Sequence, residues 1–275
     1  MSALHEIVER VNHKQPVFTV TAGRTGTTYV TELFALLPDT CALHEPKPDF
    51  VKAMRRSQQV AGSAAQFCSR IKLPAIAAHQ EARYVETSHL FCKGFFESFI
   101  KLGVRFDLLI LRRAPRAIAL SLLARNTVPA RTPLGWQYLL SPDDPGVLPL
   151  NQWQLLTDYQ LCFWYALEIE RRQALYQHYM IESGGRWFST TAEALRDYAV
   201  YRDMLVAFGF GWDEAFEPTL RQGHRSVSTT SHNLNARTVK ISPERLTQLE
   251  QVVWNRVSDH DPGLWHRRLK CHESV

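Results

Sequence analysis

Residues 16–37 read PVFTVTAGRTGTTYVTELFALL, and this stretch decides the fold. Pro16 to Thr21 is short, apolar and rich in β-branched side chains, the composition of a buried strand. Gly23 to Thr28 (GRTGTT) is a turn. Tyr29 to Leu37 then reads as a helix that stops at Pro38. A strand leading through a tight turn into a helix is the opening unit of an α/β sheet.

The rest of the chain repeats the alternation. Residues 50–82 read as broken helix, punctuated by Gly62 and Pro74. Arg83 to Thr87 reads as a strand, and Phe95 to Leu102 as a short helix. Phe106 to Leu111 (FDLLIL) is an unbroken apolar run, as expected of a parallel strand covered on both faces. Pro115 to Asn126 reads as a helix with proline at its first position. Thr127 to Leu150 is rich in proline and reads as a loop; residues 127–151 are expected to form an insertion or lid over an acceptor site. Trp153 to Met180 reads as a long helix, with Leu156, Tyr159, Phe163, Ala166 and Leu167 as its apolar stripe. Trp187 to Thr190 reads as a strand, Ala192 to Phe208 as a helix, 212–240 as irregular, and Pro243 to Val257 as a final helix. The expectation is one α/β domain over 1–275, three-layered, with a mostly parallel central sheet flanked by helices. Ligands of such sheets bind at the carboxyl ends of the strands.

Composition narrows the function. Of 275 residues, 45% are apolar and 21% charged, which excludes a disordered or fibrous chain. The net charge of +5 suits either an ordinary surface or an anionic ligand. No long Lys/Arg block appears, so nucleic acid is not expected. The five cysteines are widely spaced and lack a CxxC pair, which argues against a disulfide scaffold or a structural zinc site. No long apolar run suggests a membrane span, and Glu6, Glu9 and Arg10 interrupt any leader-like segment. A cytoplasmic protein without membrane insertion is expected.

The chemistry concentrates at two strand–helix junctions. In the first, Gly23 and Gly26 let backbone approach a ligand, and the helix start offers amide hydrogens to an anion. Arg24 adds fixed charge, and Thr25, Thr27 and Thr28 add hydroxyls. The nucleotide-hydrolase pattern would need glycine and lysine where Thr21 and Thr27 stand. In the second junction, LLILRRAPRAIALSLL, the strand ends in Arg112 and Arg113 rather than in a metal-binding Asp. Ser121 lies two helical turns further on. An arginine fork plus a hydroxyl is a natural terminal-phosphate clamp.

GRTGTT after a strand, followed by R-x-P-R with a serine eight residues beyond the first arginine, resembles the sulfotransferases that use 3′-phosphoadenosine-5′-phosphosulfate (PAPS) and release the bisphosphate PAP. The resemblance implies a P-loop-like sulfotransferase fold and a bacterial or carbohydrate-type member. It implies that Gly23, Arg24, Thr25, Gly26, Thr27 and Thr28 hold the 5′ end, with Arg113 and Ser121 on the 3′-phosphate. Asn235 and Arg237 are similar to the family's late cofactor segment. In-line transfer to a hydroxyl or amine of a small-molecule or glycan acceptor would follow, without a metal, and a homodimer is compatible with it. Two residues compete for the base: Glu45 in LHEPKP, at the end of a strand after the first helix, and His89 in YVETSHLF. His44 is a third candidate. Arg24 would stabilise the leaving group. The aromatic residues Trp136, Tyr138, Trp153 and Trp164 would line an acceptor pocket or pack in the core. The alternatives are a nucleotide or small-molecule kinase and a non-catalytic PAP or nucleotide binder.

Overall fold

The computed structural model describes residues 2–230 and 239–257. Its elements run α1 (Ala3–His13), β1 (Val17–Val20), α2 (Thr27–Phe34), β2 (Thr40–His44), α3 (Val51–Gln59), α4 (Ser63–Phe67), a π-helical turn (Cys68–Lys72), α5 (Leu73–Ala77), β3 (Arg83–Thr87), α6 (Phe96–Lys101) and β4 (Asp107–Arg112). There follow α7 (Pro115–Ala124), α8 (Pro133–Tyr138), a 3-10 turn (Trp153–Leu155), α9 (Asp158–Glu182), β5 (Trp187–Thr191), a 3-10 turn (Ala194–Arg196), α10 (Tyr198–Ala207), α11 (Glu217–Thr229) and α12 (Pro243–Val257). The chain divides into two compact units. The first holds residues up to Arg113 and Gln173–Leu234, and the second holds Ala114–Arg172 and the remainder.

The first unit carries the sheet. Its five strands are all parallel, in the order β2-β3-β1-β4-β5, consistent with a P-loop-like Rossmann-type arrangement. Val17 of β1 lies opposite Val85 on one side and Asp107 on the other. Strand residues alternate faces, and the two faces are covered differently. Val17, Val85, Leu109 and Leu111 pack against Val30 and Leu33 of α2, Met204 and Leu205 of α10, and Leu220 of α11. On the other face Phe18 stacks on Phe91 at 4.5 Å and meets the edges of Phe99 and Phe106, while Phe96 stacks on Tyr176 of α9 at 3.9 Å. The chain turns one way after β1 and the other way after β4, so the strand order reverses between these neighbours. The crevice at their carboxyl ends is the expected ligand position.

Several elements depart from the sequence expectation. Residues 212–240 are not irregular throughout, because α11 fills 217–229. Proline in its first turn opens it, and Leu220 and His224 form its buried stripe. Gly223 is a close-approach site: a Cβ there would stand 2.8 Å from Leu36. The amino-terminal helix α1 has no counterpart in the sequence reading; Ser2 caps it by accepting from the His5 amide. The long helix begins at Asp158 rather than Trp153, after a separate 3-10 turn.

The second unit is tied by buried carboxylates. Glu168 accepts from Arg171, Arg172 and the Leu148 amide. Glu250 of α12 accepts both arms of Arg116 at 2.7–2.8 Å and the Tyr159 hydroxyl. The stretch 127–151 contains α8 and buries Leu139, Leu140, Leu148 and Leu150. Trp164 is fully buried and donates to the Leu148 carbonyl, so it belongs to the core; Trp136 stays exposed. Tyr159, Phe163, Ala166 and Leu167 are buried, but so is every residue from Tyr159 to Ile169, so this part of α9 is buried on all faces rather than along the expected stripe. Among the described residues no helix is long and apolar enough to cross a membrane. Cys41, Cys68, Cys92 and Cys162 are buried free thiols, and burial pushes Cys68 up to about 12.

Candidate active site

The loop from Thr21 to Gly26 joins β1 to α2 at the carboxyl edge of the sheet. Gly23, Arg24 and Gly26 all take left-handed backbone, with φ of 77°, 59° and 91°. Left-handed backbone at these three positions turns the chain tightly between the end of β1 and the start of α2. Gly26 caps α2 without any side-chain hydrogen bond, which leaves the first helical amides to a ligand. The glycines are also required sterically. A Cβ on Gly26 would lie 2.8 Å from the Ala192 methyl, and one on Gly23 would lie 3.2 Å from the His89 ring. Thr25 is buried and closes the loop on the Thr21 hydroxyl at 2.5 Å. Thr27 is buried, with its carbonyl taking hydrogen bonds from Thr31 and Thr87. Arg24, Gly26 and Thr28 face outward.

Arg24 is the costly member, since left-handed backbone destabilises a residue with a Cβ by roughly 1–2 kcal/mol. Arg113, one residue past β4, donates from Nη1 to the Arg24 carbonyl and so links the two junctions. Arg112 turns away, donating to Ser189 at 2.8 Å and to Gln177 at 3.0 Å. The two arginines therefore have different tasks, which their adjacency in sequence conceals. Gln173 of α9 donates to both the Val20 and Leu111 carbonyls and bridges the ends of β1 and β4. Ser121 is half-buried on α7, in the second unit. Asn235 and Arg237 lie outside the described residues.

The two candidate bases meet. Glu45 follows β2 in left-handed backbone (φ 47°), and its Oε1 lies 3.4 Å from Nε2 of His89, which follows β3. On its other side, His89 Nδ1 is 2.8 Å from Nζ of Lys93, a fully buried lysine. An ammonium can only donate, so Nδ1 accepts and a neutral imidazole carries its hydrogen on Nε2, toward Glu45. Burial, and then the charges of Lys93, His44 and Arg24, hold His89 well below its ordinary 6.5. His44 Nδ1 donates to the Thr87 carbonyl at 2.9 Å. The arrangement thus offers a carboxylate supported by a neutral imidazole donor, beside the glycine loop that carries Arg24.

Sequence reasoning missed Lys93. Its one signal is a lone lysine inside the apolar run LFCKGFF (90–96). It also missed a cluster at the other end of β2, where the ligand atoms of Cys41, His79 and Glu81 lie within 4.8 Å of one another. Comparison with models of known protein families and with curated proteins finds no match for this chain.

A lowered histidine has a thermodynamic signature. The unfolded chain protonates His89 near 6.5 while the folded chain does not. The neutral ring's contribution is therefore complete above 6.5 and is lost as pH falls from there toward the folded value. Relative to wild type, His89→Asn should flatten the pH dependence of stability below 6.5, by up to about 1.4 kcal/mol per pH unit. Urea midpoints at pH 7.5, 6.5 and 5.5 test this; parallel profiles would refute the assignment.

Proposed function

We propose that the chain is a PAPS-dependent sulfotransferase of P-loop-like fold, moving a sulfuryl group to a hydroxyl or amine of an acceptor. The reading is carried by one observation: the left-handed Gly23–Arg24–Gly26 loop, held by Arg113 and faced by the Glu45–His89 pair. The donor set suits a phosphosulfate: the first amides of α2 have no side-chain cap, Arg24 and Thr28 face outward beside them, and position 27 carries no lysine.

In this reaction the acceptor oxygen attacks sulfur while the bond from sulfur to the bridging phosphate oxygen breaks. The electron pair leaves on PAP and the acceptor proton passes to Glu45. Arg24 and the α2 amides offset charge on the leaving phosphate, and His89 orients the Glu45 carboxylate. Arg113 contributes to the 3′-phosphate contact.

Thermal shift with PAP, ATP and ATP·Mg²⁺ tests the ligand, and labelled-sulfate transfer tests the reaction. A PAP-selective rise that does not require Mg²⁺, with transfer that survives EDTA, is the expected result. An absolute Mg²⁺ requirement with phosphoryl transfer would replace the reading by a kinase, and PAP binding without transfer would leave a binding protein. Arg113→Ala should weaken PAP by roughly 1.5–3 kcal/mol without unfolding the chain. Unchanged affinity by calorimetry would remove Arg113 from the clamp.

A further inference from the structure

Beyond Glu45 the chain enters the wall of a cavity of about 530 Å³, within the size range of small-molecule sites. Lys47, Lys52, Arg56 and Arg70 ring it, and Phe67 and Ile71 form an apolar surface. Lys47 is two residues from Glu45, so their Cα atoms are at most roughly 7–8 Å apart. The loop wall is fixed from behind, because Lys72 donates to the Pro48 carbonyl at 3.1 Å. The wider π turn sends Arg70 and Ile71 to the cavity while Lys72 points into the core. Ile71 is 49% exposed there.

The charge is unbalanced in a specific way. Elsewhere arginines pair with carboxylates, as Arg116, Arg131, Arg172 and Arg186 do. Among the described residues no carboxylate forms an ion pair with any of the four cavity cations. The carboxylate in the lining, Asp49, accepts from the Val51 amide. Helix α3 has no acidic residue in its first turn and carries Lys52 there, against the preference of a helix amino terminus. Asp49 already meets the amino end of α3, so what a bound anion relieves is the mutual repulsion of the four cations, and the apolar wall calls for an apolar or aromatic body.

We infer that this groove is the acceptor site and that it selects a hydroxyl-bearing molecule with an anionic group on an apolar or aromatic body. The inference rests on the sulfotransferase reading for the word acceptor; the charge selectivity stands on the groove alone. The probes are 6-hydroxy-2-naphthoate and its uncharged counterpart 2-naphthol, titrated calorimetrically into the PAP-saturated full chain. The naphthoate should bind at least tenfold more tightly. Arg56→Gln/Arg70→Gln should erase that preference while leaving PAP affinity unchanged. Equal binding of the two probes, or a preference that persists in the double variant, would overturn the inference. Labelled-sulfate transfer to the naphthoate, with a higher KM in the double variant, is the second expected result. Charge-selective binding with no transfer from PAPS to any acceptor would overturn the transferase reading and leave an anion site.

Discussion

Glu45→Gln should lower kcat by about 10²–10⁴-fold, the usual contribution of a general base, with PAP affinity unchanged. The amide keeps the shape of the carboxylate but cannot take the acceptor's proton. The geometry separates Glu45 from its neighbour: His89 has its Nδ1 filled by Lys93 and its Nε2 hydrogen directed at Glu45, 3.4 Å away. A ring in that state donates rather than accepts. His89→Asn should therefore cost less than Glu45→Gln, by loosening the carboxylate's orientation. Steady-state kinetics with calorimetric PAP binding on both variants decides the matter. An active Glu45→Gln beside an inactive His89→Asn would reverse the roles.

Lys72→Met should be the most destabilising of the single changes considered. Lys72 and Glu86 are paired at 2.8 Å with essentially no exposure, and Tyr84 donates to the second oxygen of Glu86. Removing one partner of such a pair strands a buried charge and typically costs about 3–5 kcal/mol. Burial already raises Glu86 above its ordinary 4.5, with Lys72 opposing, so loss of the lysine drives it further up and the carboxyl takes a proton instead. Protonation at pH 7 costs about 1.36 kcal/mol for each unit above 4.5, about 3.4 kcal/mol in all. A raised carboxyl contributes stability below its unfolded value and loses it as pH rises through the folded one. The loss in Lys72→Met should accordingly be smaller at pH 5 than at pH 7, and Glu86→Gln in the same background should recover part of it. Equal losses at both pH values, by urea denaturation, would sink the account.

The sheet was legible because its strands are short apolar runs between turn residues. FDLLIL admits few other readings, and the β1 stretch is followed at once by GRTGTT. The parallel pairing followed from alternation with helices. Helix α11 was hidden because its buried stripe is sparse. In the site, the loop donors could be named from sequence, since backbone geometry there depends on local glycines. The Lys93–His89–Glu45 chain could not, because it depends on how the segment after β3 folds back beside the end of β2. The groove cations are scattered over a loop, α3 and a π turn. A π turn adds a residue to the helical repeat, so no regular spacing marks its face.

The double hydrogen bond from Gln173 has a consequence for how the crevice meets an anion. Strand carboxyl ends present carbonyl oxygens, whose partial negative charge repels phosphate and sulfate. One side-chain amide spends both its hydrogens on Val20 and Leu111 and masks this repulsion at the floor between β1 and β4. The same fork works as a gauge: the strand ends cannot part without stranding two acceptors. Under the proposed function, adjustment to a ligand is then expected at the rim, through Arg24, Arg113 and the segment that carries Glu45, rather than at the floor.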